Sequence, residues 1–155
     1  MKKLSLLFWL ILSGLCHLNL LQAQHISQKD EFETLMQKIR QDFAQNPDIT
    51  QGMEKYNAQD GSFTDVDYAS IQRTNWPPLV HINRISDFVF AYTNPENRYY
   101  QNEDLYNKIE KGLEYWHERN PWCHNWWYNQ IAEPQALGVL LIQMRTGKKQ
   151  LPHEL

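Results

Sequence analysis

Cysteine, glycine and positive charge are all in short supply in this 155-residue chain: it has 2 Cys, 6 Gly, and 15 Lys plus Arg against 18 Asp plus Glu. Each shortage excludes something. Cys16 falls in the apolar leader described below, which leaves Cys123 as the one cysteine of the mature chain. One thiol cannot form an intrachain disulfide. His117 and His124 lie close in sequence to Cys123, but Cys123 and His124 are adjacent and the spacing fits no zinc pattern. No metal or cofactor is expected. A net charge of −3 gives no general attraction to nucleic acid, and no basic patch stands out along the chain. No apolar run reaches the roughly 20 residues of a membrane span. Strand-period alternation of useful length and internal repeats are also missing.

The start of the chain indicates its compartment. Lys2 and Lys3 precede an apolar stretch from Leu4 to Leu15, broken only by Ser5, Ser13 and Gly14. Leu21-Gln22-Ala23 follows, with a small residue at its end. This is the layout of a secretory signal peptide over residues 1–23, cleaved after Ala23. Leu15 before Cys16 argues against a lipoprotein site. The mature part, residues 24–155, is expected to be secreted or periplasmic, with no membrane span after signal removal. Loss of Lys2 and Lys3 leaves 13 basic against 18 acidic side chains, a formal charge of −5.

What is present is helical periodicity. Phe32, Leu35, Met36, Ile39 and Phe43 repeat as one face of a first helix, stopped by Asn46-Pro47. Residues 47–78 carry no such stripe and read as an irregular segment packed by its own aromatics, with a turn at Asp60-Gly61. Ile82, Ile85, Val89 and Tyr92 mark a second helix, ended near Asn94-Pro95. Asn102 is placed to cap a third, with Glu103 and Asp104 in its first turn and Leu105, Ile109, Leu113 and Trp116 as its stripe. Pro134 opens a fourth, and Gly147 is placed to close it. Ala136, Leu137, Val139, Leu140, Leu141, Ile142 and Met144 surround that fourth helix, a pattern that predicts burial on all sides. Three amphipathic helices supply only part of the surface needed, so the fold reads as all-α and unfinished, with a compact four-helix bundle as the alternative.

Four of the six tryptophans fall between Trp116 and Trp127. Trp126 and Trp127 are adjacent and flanked by the amides of Asn125 and Asn129. Neighbouring residues cannot share one helix face, so one indole is expected to point away from a simple core. Two readings are open: core packing with a local N–H partner, or a sugar ring stacked on an indole with amides at its hydroxyls. His81 and His117 read as solvated or capping histidines.

From Asn125-Trp126-Trp127-Tyr128-Asn129 through Pro134-Gln135-Ala136-Leu137-Gly138 to Met144-Arg145-Thr146-Gly147-Lys148-Lys149, the chain resembles polysaccharide lyase family 8. This family comprises chondroitin AC, hyaluronate and xanthan lyases, and the resemblance is greatest to the secreted bacterial chondroitin AC lyases. Asp60-Gly61-Ser62-Phe63, Thr74-Asn75-Trp76 and Tyr99-Tyr100 agree with it. The resemblance implies an incomplete α/α toroid and β-elimination on uronate-containing glycosaminoglycans. It implies that Trp126 and Trp127 belong to an aromatic patch that holds the sugar chain, with Asn125 beside them. It places the catalytic groups of the family later than Leu155, so no catalytic residue is assigned in this chain. The partners it implies are an anionic polysaccharide and the remainder of a lyase chain. On its own, the chain is then expected to fold marginally, bind chondroitin weakly and cleave nothing. A stand-alone secreted helical protein that binds polysaccharide without catalysis is the alternative.

Overall fold

The computed structural model describes residues 30–153, so the leader expected over residues 1–23 lies outside them. The chain divides into two compact units, Met1–Ile39 and Arg40–Leu155. The predicted first helix is present over residues 30–42 (α1). Its stripe is unevenly covered: Met36 is buried, whereas Phe32 and Leu35 are about half exposed.

The second unit is built from α2 (Thr50–Lys55), α3 (Leu79–Thr93), α4 (Glu103–Arg119), a π-helical turn (Tyr128–Ala132) and α5 (Glu133–Met144). Among the described residues there is no strand, only an isolated antiparallel bridge between Tyr56 and Phe63. The all-α expectation therefore holds. The caps of α4 are those the sequence implies. The Asn102 Oδ1 accepts from the Leu105 N–H at 2.9 Å, and Asn120 ends the helix in the left-handed conformation at φ 43°.

Three features of the fold bear on the sequence reading. The first, incomplete cover of the all-apolar helix, is as expected where the other helices supply only part of the surface it needs, and the enclosed helix is α3. α3 packs against both α4 and α5, and buries Ile82, Ile85, Phe88, Val89, Phe90, Ala91 and Tyr92. α5, apolar all round, buries only Leu140, Gln143 and Met144 and leaves Leu141 exposed. Composition gives a helix the capacity to be buried, but the position of its neighbours decides which face is covered. The second concerns residues 47–78, which contain α2. Its entry is organised by the Asp48 Oδ1, which accepts from the Thr50 N–H at 3.0 Å and the Thr50 hydroxyl at 2.6 Å. Six residues are too few to show a period. The segment also packs beyond its own rings. Phe63 lies 5.9 Å from Phe88 and 5.1 Å from His81, ring centre to ring centre, both on α3. The third concerns Gly147. Its N–H donates to the Met144 carbonyl at 2.9 Å, but without a positive φ, and a side chain there would run into the Tyr92 ring. Close packing, not helix-end geometry, favours glycine at this position.

Gly61 is a glycine for both reasons. Its φ is 84°, and an added Cβ would strike the Lys111 backbone on α4. The 60s turn thus lies directly on α4.

Candidate functional site

Two aromatic clusters are candidates for a site. The first centres on His81. It is fully buried, not solvated or capping as the sequence suggests. Its Nε2–H donates to the Gly112 carbonyl at 2.9 Å, and its Nδ1 lies 2.8 Å from the Tyr68 hydroxyl. The Tyr68 oxygen in turn accepts from the Phe63 N–H at 2.9 Å. A carbonyl at Nε2 requires the proton there, which makes Nδ1 the acceptor from Tyr68. Tyr115 and Trp116 stack on the ring at 5.6 and 5.4 Å. Burial disfavours the charged imidazolium and brings the His81 pKa down to about 4; the Gly112 bond opposes this and the Arg84 charge adds to it. The same burial pushes the Tyr68 phenol well above its ordinary range. Both His81 nitrogens and the Tyr68 hydroxyl have partners, and the imidazole itself is fully enclosed. It holds the 60s turn to α3 and α4.

The second cluster is the turn bearing Trp126 and Trp127, which begins the helical run that continues through the π turn into α5. Asn125 caps it: its Oδ1 accepts from the Trp127 N–H at 3.1 Å. Its Nδ2 donates to the Arg73 carbonyl at 2.9 Å, tying the run to the loop that precedes α3. Tyr128 is buried, lies 5.7 Å from Trp76, and accepts from the Trp76 N–H at 3.4 Å. At the far end, the Glu133 N–H bonds to the Tyr128 carbonyl, five residues back instead of four. Pro134 follows immediately. A widened turn here relieves the clash that a proline ring makes with the carbonyl four residues before it. Glu133 accepts from the Trp116 Nε1–H at 2.9 Å, fixing the turn to α4, and burial raises its carboxyl pKa against that bond.

On this anchored turn the two indoles stand out. Trp126 is 60% exposed and Trp127 45%. Trp127 meets Tyr128 edge-on at 5.2 Å and lines a groove of about 270 Å³ between α3 and the start of α5. The groove presents Leu79, Phe90, Ala136 and Val139 with the polar side chains of Asn83, Ser86 and Gln135. Its lining contains no ionisable side chain, so it can hold a polyhydroxylated ligand but offers neither base nor acid. Among the described residues, no three His, Cys, Asp or Glu side chains gather to hold a metal, and no helix is long and apolar enough to cross a membrane.

Of the residues singled out by sequence, Trp126 and Trp127 reach the surface, whereas both amide atoms of Asn125 are already engaged by the backbone. Sequence reasoning missed two contributors. Arg73 comes next to Asn125 only through tertiary contact. Asn83 lies on the polar side of α3, where it is indistinguishable from any solvated residue.

The N-terminal α-helical domain of polysaccharide lyase family 8 matches residues 21–154. Chondroitinase-AC of Pedobacter heparinus is 42% identical over 96 residues, which are 62% of this chain and 14% of that protein. A solved structure of chondroitinase AC lyase, determined with enzyme–oligosaccharide complexes, superposes with a TM-score of 0.74 at 33% identity. The superposition covers 79% of this chain and 19% of that one. The chain thus spans less than a fifth of the length of either relative.

Proposed function

Since the chain belongs to polysaccharide lyase family 8 and corresponds to its N-terminal α-helical domain, we propose that its role is to hold a uronate-containing glycosaminoglycan of the chondroitin or hyaluronan type for β-elimination. Its helices are the opening ones of an α/α toroid, and the remainder of a lyase chain is its partner. The observation that carries this reading is the anchored turn with two exposed indoles beside a groove of amides and apolar walls. A sugar ring lays its C–H face on an indole while side-chain amides meet its hydroxyls. Trp126 and Trp127 supply the faces, and Asn125, beside them, braces the turn that carries them. Secretion through the leader over residues 1–23 gives access to such an extracellular polymer.

β-Elimination abstracts the proton α to the uronate carboxylate. It needs a base at that carbon, a group that neutralises the carboxylate and an acid for the leaving oxygen. The groove offers none of these. The chain by itself is therefore a binding element without lyase activity.

The test uses the chain labelled with 5-fluorotryptophan, its ¹⁹F resonances assigned by Trp126→Phe and Trp127→Phe. Titration with chondroitin sulfate oligosaccharides is expected to move the Trp126 and Trp127 signals and leave buried Trp76 in place. Equal or no movement at all three would overturn the binding assignment. Accumulation of an unsaturated uronate product, read by its ultraviolet absorbance, would overturn the non-catalytic one.

A further inference from the structure

Asn129 is not needed for the ligand contacts described above, yet it makes the tightest polar clasp in this region. Its Oδ1 accepts from the Cys123 N–H at 3.0 Å and its Nδ2 donates to the Cys123 carbonyl at 2.7 Å. One side-chain amide thus satisfies both backbone groups of a single residue, as a neighbouring strand would. Cys123 is otherwise held by its sulfur, which lies 3.5 Å from the Gln72 carbonyl and 3.4 Å from the Asn125 N–H. The backbone of the segment that leads into the indole turn is therefore tied to Asn129, which sits in the π turn on the other side of the same two tryptophans.

We infer that Asn129 is a positioning residue for the indole pair: its clasp on Cys123 closes the loop around Trp126 and Trp127 and sets the direction in which both rings project. The inference rests on the proposed carbohydrate role only for its consequence, since the clasp itself is a matter of chain geometry. Loop closure confines the start of the helical run from both sides. Asn125 caps it from the front and ties it to Arg73, Asn129 returns to the residue two before that cap, and Tyr128 pins the middle to Trp76. Without the clasp, the buried Cys123 side chain keeps its sulfur contacts, but its backbone N–H and carbonyl lose their partners and the segment before Asn125 is less firmly held. The exposed rings then sample several directions, and a ligand that needs both faces at once must select one of them. The chemistry is particular to an amide. Aspartate retains the acceptor for the Cys123 N–H but presents a second oxygen to the Cys123 carbonyl, alanine offers nothing, and glutamine carries the same groups one carbon too far.

The experiment compares Asn129→Ala and Asn129→Asp with the unsubstituted chain under the same ¹⁹F labelling. In Asn129→Ala the Trp126 and Trp127 resonances are expected to shift and broaden while Trp76 stays fixed. The oligosaccharide concentration at half-saturation is expected to rise about tenfold, the scale of losing preorganisation from two hydrogen bonds. Asn129→Asp is expected to fall between the two. Unmoved indole resonances in Asn129→Ala would overturn the inference. If Asn129→Ala does not fold, the resonances of Asn129→Asp decide in the same way. If the unsubstituted chain shows no response to oligosaccharide, the carbohydrate proposal falls while the ¹⁹F comparison still judges Asn129.

Discussion

The His81 node and the Trp126-Trp127 turn are made of the same materials, indoles, phenols and amides packed at ring distances of 5–6 Å. They differ in where the polar atoms point. Around His81 the imidazole nitrogens and the Tyr68 hydroxyl are turned to partners in the protein, and the Phe63, His81 and Trp116 rings are buried. Around Trp126 the polar groups hold the backbone from behind, and the rings face out. Aromatic density alone therefore does not mark a binding site. What sets the second region apart is a backbone anchored by side-chain amides under indoles that stay largely exposed, and the proposed binding role rests on that difference.

That contrast can be broken most forcefully at its buried end. His81→Ala removes two hydrogen bonds and the stacked ring and leaves the Gly112 carbonyl without its donor; a loss of about 3–4 kcal/mol in urea unfolding is expected. A loss under about 1 kcal/mol would show that the node is not a stabilising one.

Acid probes the same group without a substitution. The His81 pKa is lowered in the folded state to about 4, against an ordinary value of 6.5. Between these values the unfolded chain binds the extra proton, so stability rises with pH across that window. Its full contribution is present above pH 6.5 and is lost as pH falls toward 4, by about 3 kcal/mol if this group acts alone. Asp65 behaves in the same sense at lower pH, since its bond with Arg84 holds its pKa below the ordinary carboxylate value. Thermal midpoints of the unsubstituted chain and His81→Gln across this range check the assignment. The difference between the two should vary with pH, and a constant difference would rule His81 out as the source.

Gly61→Ala tests whether the 60s turn is as tightly seated on α4 as its backbone implies. A methyl group there meets the Lys111 backbone in a left-handed conformation, and a cost of about 1–3 kcal/mol is expected in the same unfolding assay. At the open end, Trp126→Ala should change stability by less than about 1 kcal/mol, since most of the ring is exposed, yet weaken oligosaccharide binding. A large stability loss with unchanged binding would make the two regions alike and erase the contrast.

Much of the helical frame was legible because it rests on local chemistry. The i, i+3, i+4 stripes gave α1, α3 and α4, Asn102 gave a cap, and Pro134 with the long apolar run gave α5. α2 was not legible, since six residues do not display a period. His81 was misread because its two bonds come from Tyr68 and from Gly112, 13 and 31 residues away, and nothing beside it in sequence announces them. In the candidate site, the adjacency of Trp126 and Trp127 was enough to place an indole outside the core, as the geometry of a helix requires. The bond from Asn125 to Arg73, across 52 residues, was not foreseeable.

Taken alone, the order of residues determined the helix stripes, the Asn102 cap and the exposure of at least one of two neighbouring indoles, because these follow from spacing along a chain of known pitch. Only the folded arrangement decided that α3 and not α5 is the enclosed helix, that His81 is sealed and neutral, and that the amides around the tryptophans brace the backbone. Those outcomes depend on which distant groups meet, and burial and hydrogen bonding are settled by neighbours in space.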